Sequence, residues 1–245
     1  MKNDAANQST TMDNRGVSQA LLKIYRRLFV HYGPQHWWPA EEPFEIVVGA
    51  ILTQSVAWSN VEKAITGLRS AGALSPEVLR RLPIDSLARL VYPSGHYNAK
   101  ALKLKSFAHW LEENFNDDLN SLFDTETGEL RQQLLSIHGI GPETADSIML
   151  YAASKPVFVI DAYTKRIISR LGLTTDGSNY RAWQAFFMDN LPANTRLFNE
   201  YHALLVRLGK EVCRKKPLCD SCCLNSTDKT ATDHLRNQFP CSAIN

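Results

Sequence analysis

The sequence predicts an all-α protein in two lobes. Three observations carry that prediction. Apolar residues recur at helical spacing through most of the chain, no stretch shows convincing strand alternation, and no apolar run approaches a membrane span. At 245 residues and 44% hydrophobic content, the chain can bury one substantial core or two lobes. Its net charge of only +2 excludes strong whole-chain attraction to a polyanion, so any such binding must come from local patches. Lys100, Lys103 and Lys105 form one candidate patch, and Arg207, Lys210, Arg214, Lys215 and Lys216 form another.

Residues 1–16 are polar, short of apolar positions and expected to be a disordered tail; they lack the apolar core of a signal peptide. From Val17 to Tyr32, Leu21, Leu22, Ile24, Tyr25, Leu28 and Phe29 lie at helical spacing. The same pattern predicts helices over Phe44–Thr53, Asn60–Ala71, Pro76–Arg81, Ile84–Val91, Ala99–Phe115, Gly128–Ile137, Glu143–Ala153, Ala162–Leu171, Tyr180–Asn190 and Thr195–Lys210. Between the Glu143–Ala153 and Ala162–Leu171 ranges, Lys155-Pro156-Val157-Phe158-Val159-Ile160 should be buried and extended. Residues 229–245 read as a C-terminal tail, and no internal repeat is present.

The most informative stretch is Leu134-Leu135-Ser136-Ile137-His138-Gly139-Ile140-Gly141-Pro142-Glu143-Thr144-Ala145, followed by Val159-Ile160-Asp161. Two glycines separated by one apolar residue, between helical stretches, make a turn whose backbone can approach a ligand closely, because glycine has no Cβ. Pro142 suits the first turn of the next helix, and a helix N-terminus aimed outward binds phosphate. Asp161 stands where a buried run gives way to a helix. There it can act as an N-cap worth about 1 kcal/mol, or as a reactive carboxylate.

Hairpin, buried run and acid occur in the order and spacing of the helix-hairpin-helix DNA glycosylases, the superfamily that includes endonuclease III. The chain resembles that superfamily from roughly Tyr25 to Cys222. Gly49-Ala50-Ile51-Leu52-Thr53-Gln54, then Asn60-Val61, is similar to the family's early helix, whose glutamine enters the space left by a displaced base. Ser94-Gly95-His96-Tyr97-Asn98-Ala99-Lys100-Ala101 resembles its Gly-x-Tyr-Asn-x-Lys-Ala element. Each match is weak alone; their joint occurrence in order is not.

The resemblance implies a six-helix barrel over 41–154 ending in the hairpin, and a second lobe from 17–40 and 155–228 that carries the cysteines. Asp161 is then expected at the cleft between lobes. The implied partner is double-stranded DNA with a flipped damaged base, bound through Gln54, Gly139, Gly141 and Lys100. One departure bears on mechanism. Family members that cut the backbone carry a lysine two residues after the second hairpin glycine, and its amine forms a Schiff base with the sugar. Here that position is Glu143, so the resemblance implies a monofunctional glycosylase that leaves an abasic site. Lys165, one turn beyond Asp161, reads instead as a residue on the solvated face of its helix. Asp161 would stabilise positive charge developing on the deoxyribose or activate a water.

Aromatic residues bear on the choice of base. His36-Trp37-Trp38-Pro39, then Phe44, then Trp58 shortly after Gln54, place several large rings near one segment. Each ring taken alone is as well explained by core packing as by a pocket. Stacked rings suit flat bases and favour cationic alkylated purines by about 0.5–2 kcal/mol over neutral ones. The ring pattern resembles the bacterial 3-methyladenine glycosylase branch, in which Trp38, Pro39 and Trp58 occupy pocket-lining positions; Phe44 is the fourth expected lining residue. A glycosylase for mismatched or deaminated bases, and a noncatalytic hairpin module, are the competing readings.

All cysteines lie in the C-terminal portion: Cys213-x5-Cys219-x2-Cys222, with Cys223 adjacent and Cys241 near the end. Clustering without a signal peptide points to a reducing compartment and to metal rather than disulfides. The pattern resembles the family's Cys-x6-Cys-x2-Cys-x5-Cys, which holds a four-iron, four-sulfur cluster, with one residue fewer in the first gap and Asp228 at the fourth position. Asp228, Cys223 or Cys241 would complete the set, or the cluster has decayed into a vestige, and zinc is the alternative metal. Such a loop would present Arg214, Lys215 and Lys216 to phosphates. The expected state is a monomer in a prokaryotic cytoplasm, associated with the nucleoid and not with a membrane.

Overall fold

The computed structural model describes residues 14–40, 42–173, 175 and 177–225. Among them are twelve α-helices, two short 3₁₀ turns, one π turn and no strand. No described helix is long and apolar enough to cross a membrane. The chain divides into two compact units, one of residues 36–161 and 194–202, the other of 1–35, 162–193 and 203–245. The expected tail over 1–16 lies outside the described residues as far as residue 13, and the tail over 229–245 lies wholly outside them.

Helix α1 (Asn14–Tyr32) belongs to the second of these units. The first unit is built from α2 (Pro43–Leu52), α3 (Trp58–Ser70), α4 (Pro76–Arg81), α5 (Ile84–Leu90), α6 (Tyr97–Phe115), α7 (Leu119–Asp124), α8 (Thr127–Ser136) and α9 (Pro142–Ser147). α2 is apolar almost all round, and Phe44, Val47, Val48, Ile51 and Leu52 are all buried, so it forms the centre of this unit's core. Around it pack α3, α6 and α9, while α6 is also covered by α4 and α5. Pro43 and Pro76 both start helices, where the missing N–H removes no intrahelical bond.

Two features depart from the expected pattern. α7 is not among the expected helices, yet Leu119, Leu122 and Phe123 lie at helical spacing and Asp118 caps it, accepting the Asn120 N–H at 2.9 Å and the Ser121 hydroxyl at 2.6 Å. The expected Glu143–Ala153 helix is split: α9 ends at Ser147, and Ile148–Ala152 form a π turn. The run after it is buried from Val157 to Ile160 but only half-buried at Lys155 and Pro156, and it is irregular rather than a strand.

That run and the first turns of α12 (Thr195–Glu211) are compacted with α2–α9, whereas the resemblance places both in the second lobe. Aromatic packing accounts for the difference. The Phe158 ring lies 5.3 Å from Phe198 and 5.8 Å from Tyr201, both edge to face. The Thr195 hydroxyl also donates to the Ser154 carbonyl at 3.0 Å.

The other unit contains α1, α10 (Ala162–Arg170), α11 (Tyr180–Met188) and the later turns of α12. Arg166 donates to the carbonyls of Cys213 and Gly209 at 2.9 and 3.1 Å, and Arg170 to those of Arg214 and Lys215 at 2.6 and 3.0 Å. Two guanidiniums of α10 thus hold the start of the cysteine loop by its backbone. Gly209 is required by closeness: a Cβ there would lie 2.4 Å from the Tyr163 ring.

Candidate active site

The hairpin joins α8 to α9. Gly139 has φ +84°, a conformation L side chains rarely adopt, and a Cβ on it would lie 2.3 Å from Lys103 Cγ. Gly141 is different: its φ is −92°, it is exposed, and nothing lies within 4 Å of where its Cβ would be. The second glycine therefore leaves open space in front of the N-terminus of α9, while the first makes the turn. Glu143 is exposed in the first turn of α9. Beneath it, Asp146 is fully buried and receives Arg131 Nε at 2.7 Å and Nη2 at 3.1 Å, which ties α9 to α8.

Gln54 follows α2 and is half-buried. Its amide donates to the Gly139 carbonyl at 3.2 Å and to the Thr144 hydroxyl at 2.9 Å, and its oxygen accepts from Lys103 Nζ. The expected gap-filling residue and the hairpin are thus one hydrogen-bonded group in this conformation.

Lys100, expected at a phosphate, is instead 2% exposed. Its ammonium donates to the carbonyls of Leu52 at 2.8 Å and Ser94 at 2.5 Å, satisfying the C-terminal end of α2. Burial, and then the charge of Lys103, pushes its pKa down to about 8. The third member of that patch, Lys105, donates to the Arg80 carbonyl at 2.7 Å. All three ammoniums of the expected patch therefore have acceptors within the protein, on Leu52, Ser94, Gln54 and Arg80. Of the other patch, Arg214, Lys215 and Lys216 are exposed, while Arg207 lies 4.7 Å over the Tyr32 ring.

The tryptophans converge. Trp37 and Trp38 lie 5.0 Å apart, Trp37 and Trp58 4.6 Å, and Trp38 and Trp58 5.0 Å at 89°, an edge-to-face cluster in which all three rings are half-buried. Gly49 makes room for it, since a Cβ there would meet the Trp38 ring at 2.6 Å. Pro39 is exposed beside the cluster. Phe44 does not join it; the ring is 6% exposed and packs at 6.4 Å from Phe107, because residue 44 falls on the core face of α2.

On its other side the Trp38 ring lies 5.4 Å from Tyr151, whose hydroxyl is 2.5 Å from His202 Nδ1. His202 Nε2 is 3.7 Å from Asp161 Oδ2, with only 10% and 12% of the two side chains exposed. Asp161 stands immediately before α10. Burial, and then the charges of Asp161 and Glu200, push the Tyr151 pKa well above its ordinary value. A carboxylate, an imidazole and a phenol thus form a chain that ends at the ring cluster.

Open space beside Gly141, an acid behind a buried run and a cluster of three indoles lie in one compact unit, the features that the resemblance ties to base excision. The family comparison agrees: a model described as "HhH-GPD superfamily base excision DNA repair protein" matches residues 48–193. The chain belongs to the HhH-GPD superfamily. This DNA glycosylase is 46% identical over 205 residues, covering 83% of its own length and 93% of the relative's, to a provisionally named DNA repair glycosylase of Methanocaldococcus jannaschii. It is 29% identical to the endonuclease III of Sulfolobus acidocaldarius, over 79% of this chain and 85% of that one. Among solved structures it matches the H. pylori 3-methyladenine DNA glycosylase MagIII bound to 1,N6-ethenoadenine, with TM-score 0.67 and 26% identity, covering 82% of this chain and 98% of that one. An endonuclease III–DNA covalent intermediate, at TM-score 0.72 and 19% identity over 84% and 92% of the two chains, shares the fold.

The glycosylase's cysteine loop follows α12. Cys213 is buried and its sulfur accepts from Arg170 at 3.3 Å; Cys219, Cys222 and Cys223 are half-buried. Burial raises the Cys222 thiol, with Cys213 and Cys219 adding to the shift, and burial with Cys222 pushes Cys223 up to about 11. Among the described residues no three His, Cys, Asp or Glu side chains converge into a set that could hold a metal ion. Asp228 and Cys241, two of the expected fourth donors, lie outside the described residues. The described residues alone therefore do not complete the metal site.

Several members of the site carry no signal in the sequence. Tyr151 and His202 are lone residues on helical stretches, 51 positions apart. Lys103 reads as a member of a basic patch rather than as a partner of Gln54, and Asp146 reads as an ordinary helix residue. Only the lack of a charge partner at helical spacing for Asp146 hinted otherwise.

Proposed function

We propose that the protein is a monofunctional DNA glycosylase that hydrolyses the N-glycosidic bond of alkylated, 3-methyladenine-type bases and leaves an abasic site. The observation that carries this reading is the pairing of a largely enclosed acid, Asp161, with a cluster of three indoles reached through Tyr151. Cationic purines are good leaving groups and gain from aromatic faces, so a pocket for them needs few polar groups. The relatives' names are compatible with several bases; the ring cluster favours this one. Mismatched or deaminated bases are neutral and would call for several aligned polar partners in the pocket.

In the proposed mechanism duplex DNA docks with a phosphate at the N-terminus of α9, where Gly139 shapes the turn and Gly141 leaves the approach open. Gln54 leaves its bonds with the hairpin to fill the space of the flipped nucleotide. Trp38, Pro39 and Trp58 receive the base. As the bond to the base breaks, Asp161 stabilises positive charge on the sugar and orients the attacking water. Glu143, at the position from which a lysine would form an imine, offers no amine, so the strand stays intact until alkali acts.

Cys213, Cys219 and Cys222, with one of Cys223, Asp228 or Cys241, are proposed to hold an iron–sulfur cluster that cross-links the loop after α12. Support comes from the spacing of the thiols and their mutual effect on Cys222. A cluster gives a brown protein with a broad visible absorption, whereas colourless protein containing bound zinc would reject it.

The function is tested with duplexes carrying 3-methyladenine, 7-methylguanine, uracil, a G·T mismatch or thymine glycol. Alkali-dependent breaks at the alkylated sites, absent in Asp161→Asn, are expected. Breaks at uracil or G·T alone would support the neutral-base reading. Breaks without alkali would refute the monofunctional assignment.

A further inference from the structure

Asp161 faces a second buried group that the mechanism above does not use. His202 is 8% exposed and lies on the second turn of α12, directly after Tyr201, which is fully buried against Phe158. Thr195 to Ser154, Phe198 to Phe158 and His202 to Tyr151 form successive contacts down the first turns of α12 along residues 151–161. The imidazole is therefore held by a helix packed beside the segment that delivers Asp161. Tyr151 reaches it from the π turn, a departure from regular helix of the kind that re-aims side chains at functional sites.

Chemistry then sets the tautomer. The Tyr151 hydroxyl keeps its proton at neutral pH, because its ring is buried and both Asp161 and Glu200 oppose its ionisation; with the Asp161 carboxylate facing Nε2, the arrangement that suits both neighbours of the imidazole has the phenol donating to Nδ1. With that proton on Nδ1's lone pair, a neutral imidazole carries its own hydrogen on Nε2. That atom is the one 3.7 Å from Asp161 Oδ2. The distance is longer than a hydrogen bond; catalytic contacts of this kind commonly shorten when substrate binds.

Taking Asp161 as the reacting acid, as proposed above, we infer that His202 is its positioning residue: the Tyr151 hydroxyl fixes the imidazole with Nε2–H toward Asp161, and that N–H orients the carboxylate toward the sugar. No proton changes hands along the chain. The imidazole donates to the carboxylate throughout, and the water's proton leaves by way of Asp161. The same chain connects occupancy of the ring cluster to the acid, since the Tyr151 ring touches Trp38.

The test uses the full-length protein and the lesion duplex that it processes fastest. His202→Leu should lower the single-turnover rate of base release about 10- to 100-fold, the range for removing an orienting partner, with duplex affinity within about two-fold of wild type. His202→Gln, which keeps an N–H near the Nε2 position, should restore most of the rate. In ¹⁵N-histidine spectra of the wild type, His202 should be the Nε2–H tautomer, and Tyr151→Phe should abolish that preference. A His202 protonated on Nδ1 in the wild type overturns the inference, as does His202→Leu with an unchanged rate, or His202→Gln folded but as slow as His202→Leu. Asp161→Asn is measured alongside. If it retains turnover, the reading of Asp161 itself has failed; if it is inactive while His202→Leu is normal, only the role of His202 has.

Discussion

Gly139→Ala separates two physical reasons for one glycine. The first is conformational: at φ +84° an alanine is strained by about 1–2 kcal/mol wherever it sits. The second is steric: its Cβ would lie 2.3, 2.7 and 2.8 Å from Cγ, Cδ and Cε of Lys103. Those atoms belong to a side chain anchored at its far end on Gln54, so the stem cannot swing away without losing that bond. Overpacking of this kind adds about 1–3 kcal/mol. Gly139→Ala should therefore destabilise the protein by about 2–5 kcal/mol in urea unfolding. In a Lys103→Ala background, where all three clashing atoms are gone, the same change should cost only the conformational 1–2 kcal/mol or so. Gly141→Ala, with open space and an ordinary φ, should be within about 0.5 kcal/mol of wild type. Duplex binding should weaken in Gly139→Ala because the turn is displaced. An equal loss in both backgrounds would refute the steric part, and a Gly139→Ala protein as stable as Gly141→Ala would refute the whole account.

Arg131→Met should cost about 3–5 kcal/mol in chemical denaturation, since the fully buried Asp146 carboxylate would lose its guanidinium; Asp146→Asn in the same background should recover part of it. Lys100 gives a pH signature. Its folded pKa, about 8, lies below the ordinary 10.5, so its contribution is fully present above pH 10.5 and is lost as pH falls through about 8. Unfolding free energy should rise between those values, and Lys100→Met should flatten the rise; an identical slope in both proteins would contradict it. Gln54→Ala should free Lys103 and loosen the hairpin, measurable as faster amide exchange at Gly139 to Thr144; unchanged exchange would show that the contacts at 2.9 and 3.2 Å do not hold the turn.

Much of this protein was determined by local sequence. Proline at helix starts, a glycine that must have positive φ and an apolar stripe every third or fourth residue act within a few positions of themselves, so the helical class, most helix positions and the hairpin could be read directly. The family, too, was legible, because its landmarks keep their order along the chain. What tertiary structure decided is where charge and rings end up. Lys100 looked like a surface cation and became the cap of α2, because it falls on the buried face of α6, within reach of the Leu52 carbonyl. Phe44 looked like one more pocket ring and went to the core against Phe107, because the ring cluster meets α2 at Gly49, on a different face of the helix. Helix α7 went unread, although Leu119, Leu122 and Phe123 lie at helical spacing behind the Asp118 cap. His202 reached Asp161 from 41 positions away only because Phe198 and Tyr201 clamp α12 onto Phe158. Helix and turn follow from near-neighbour sterics; the surroundings of a carboxylate follow from long-range packing, which no short window of sequence contains.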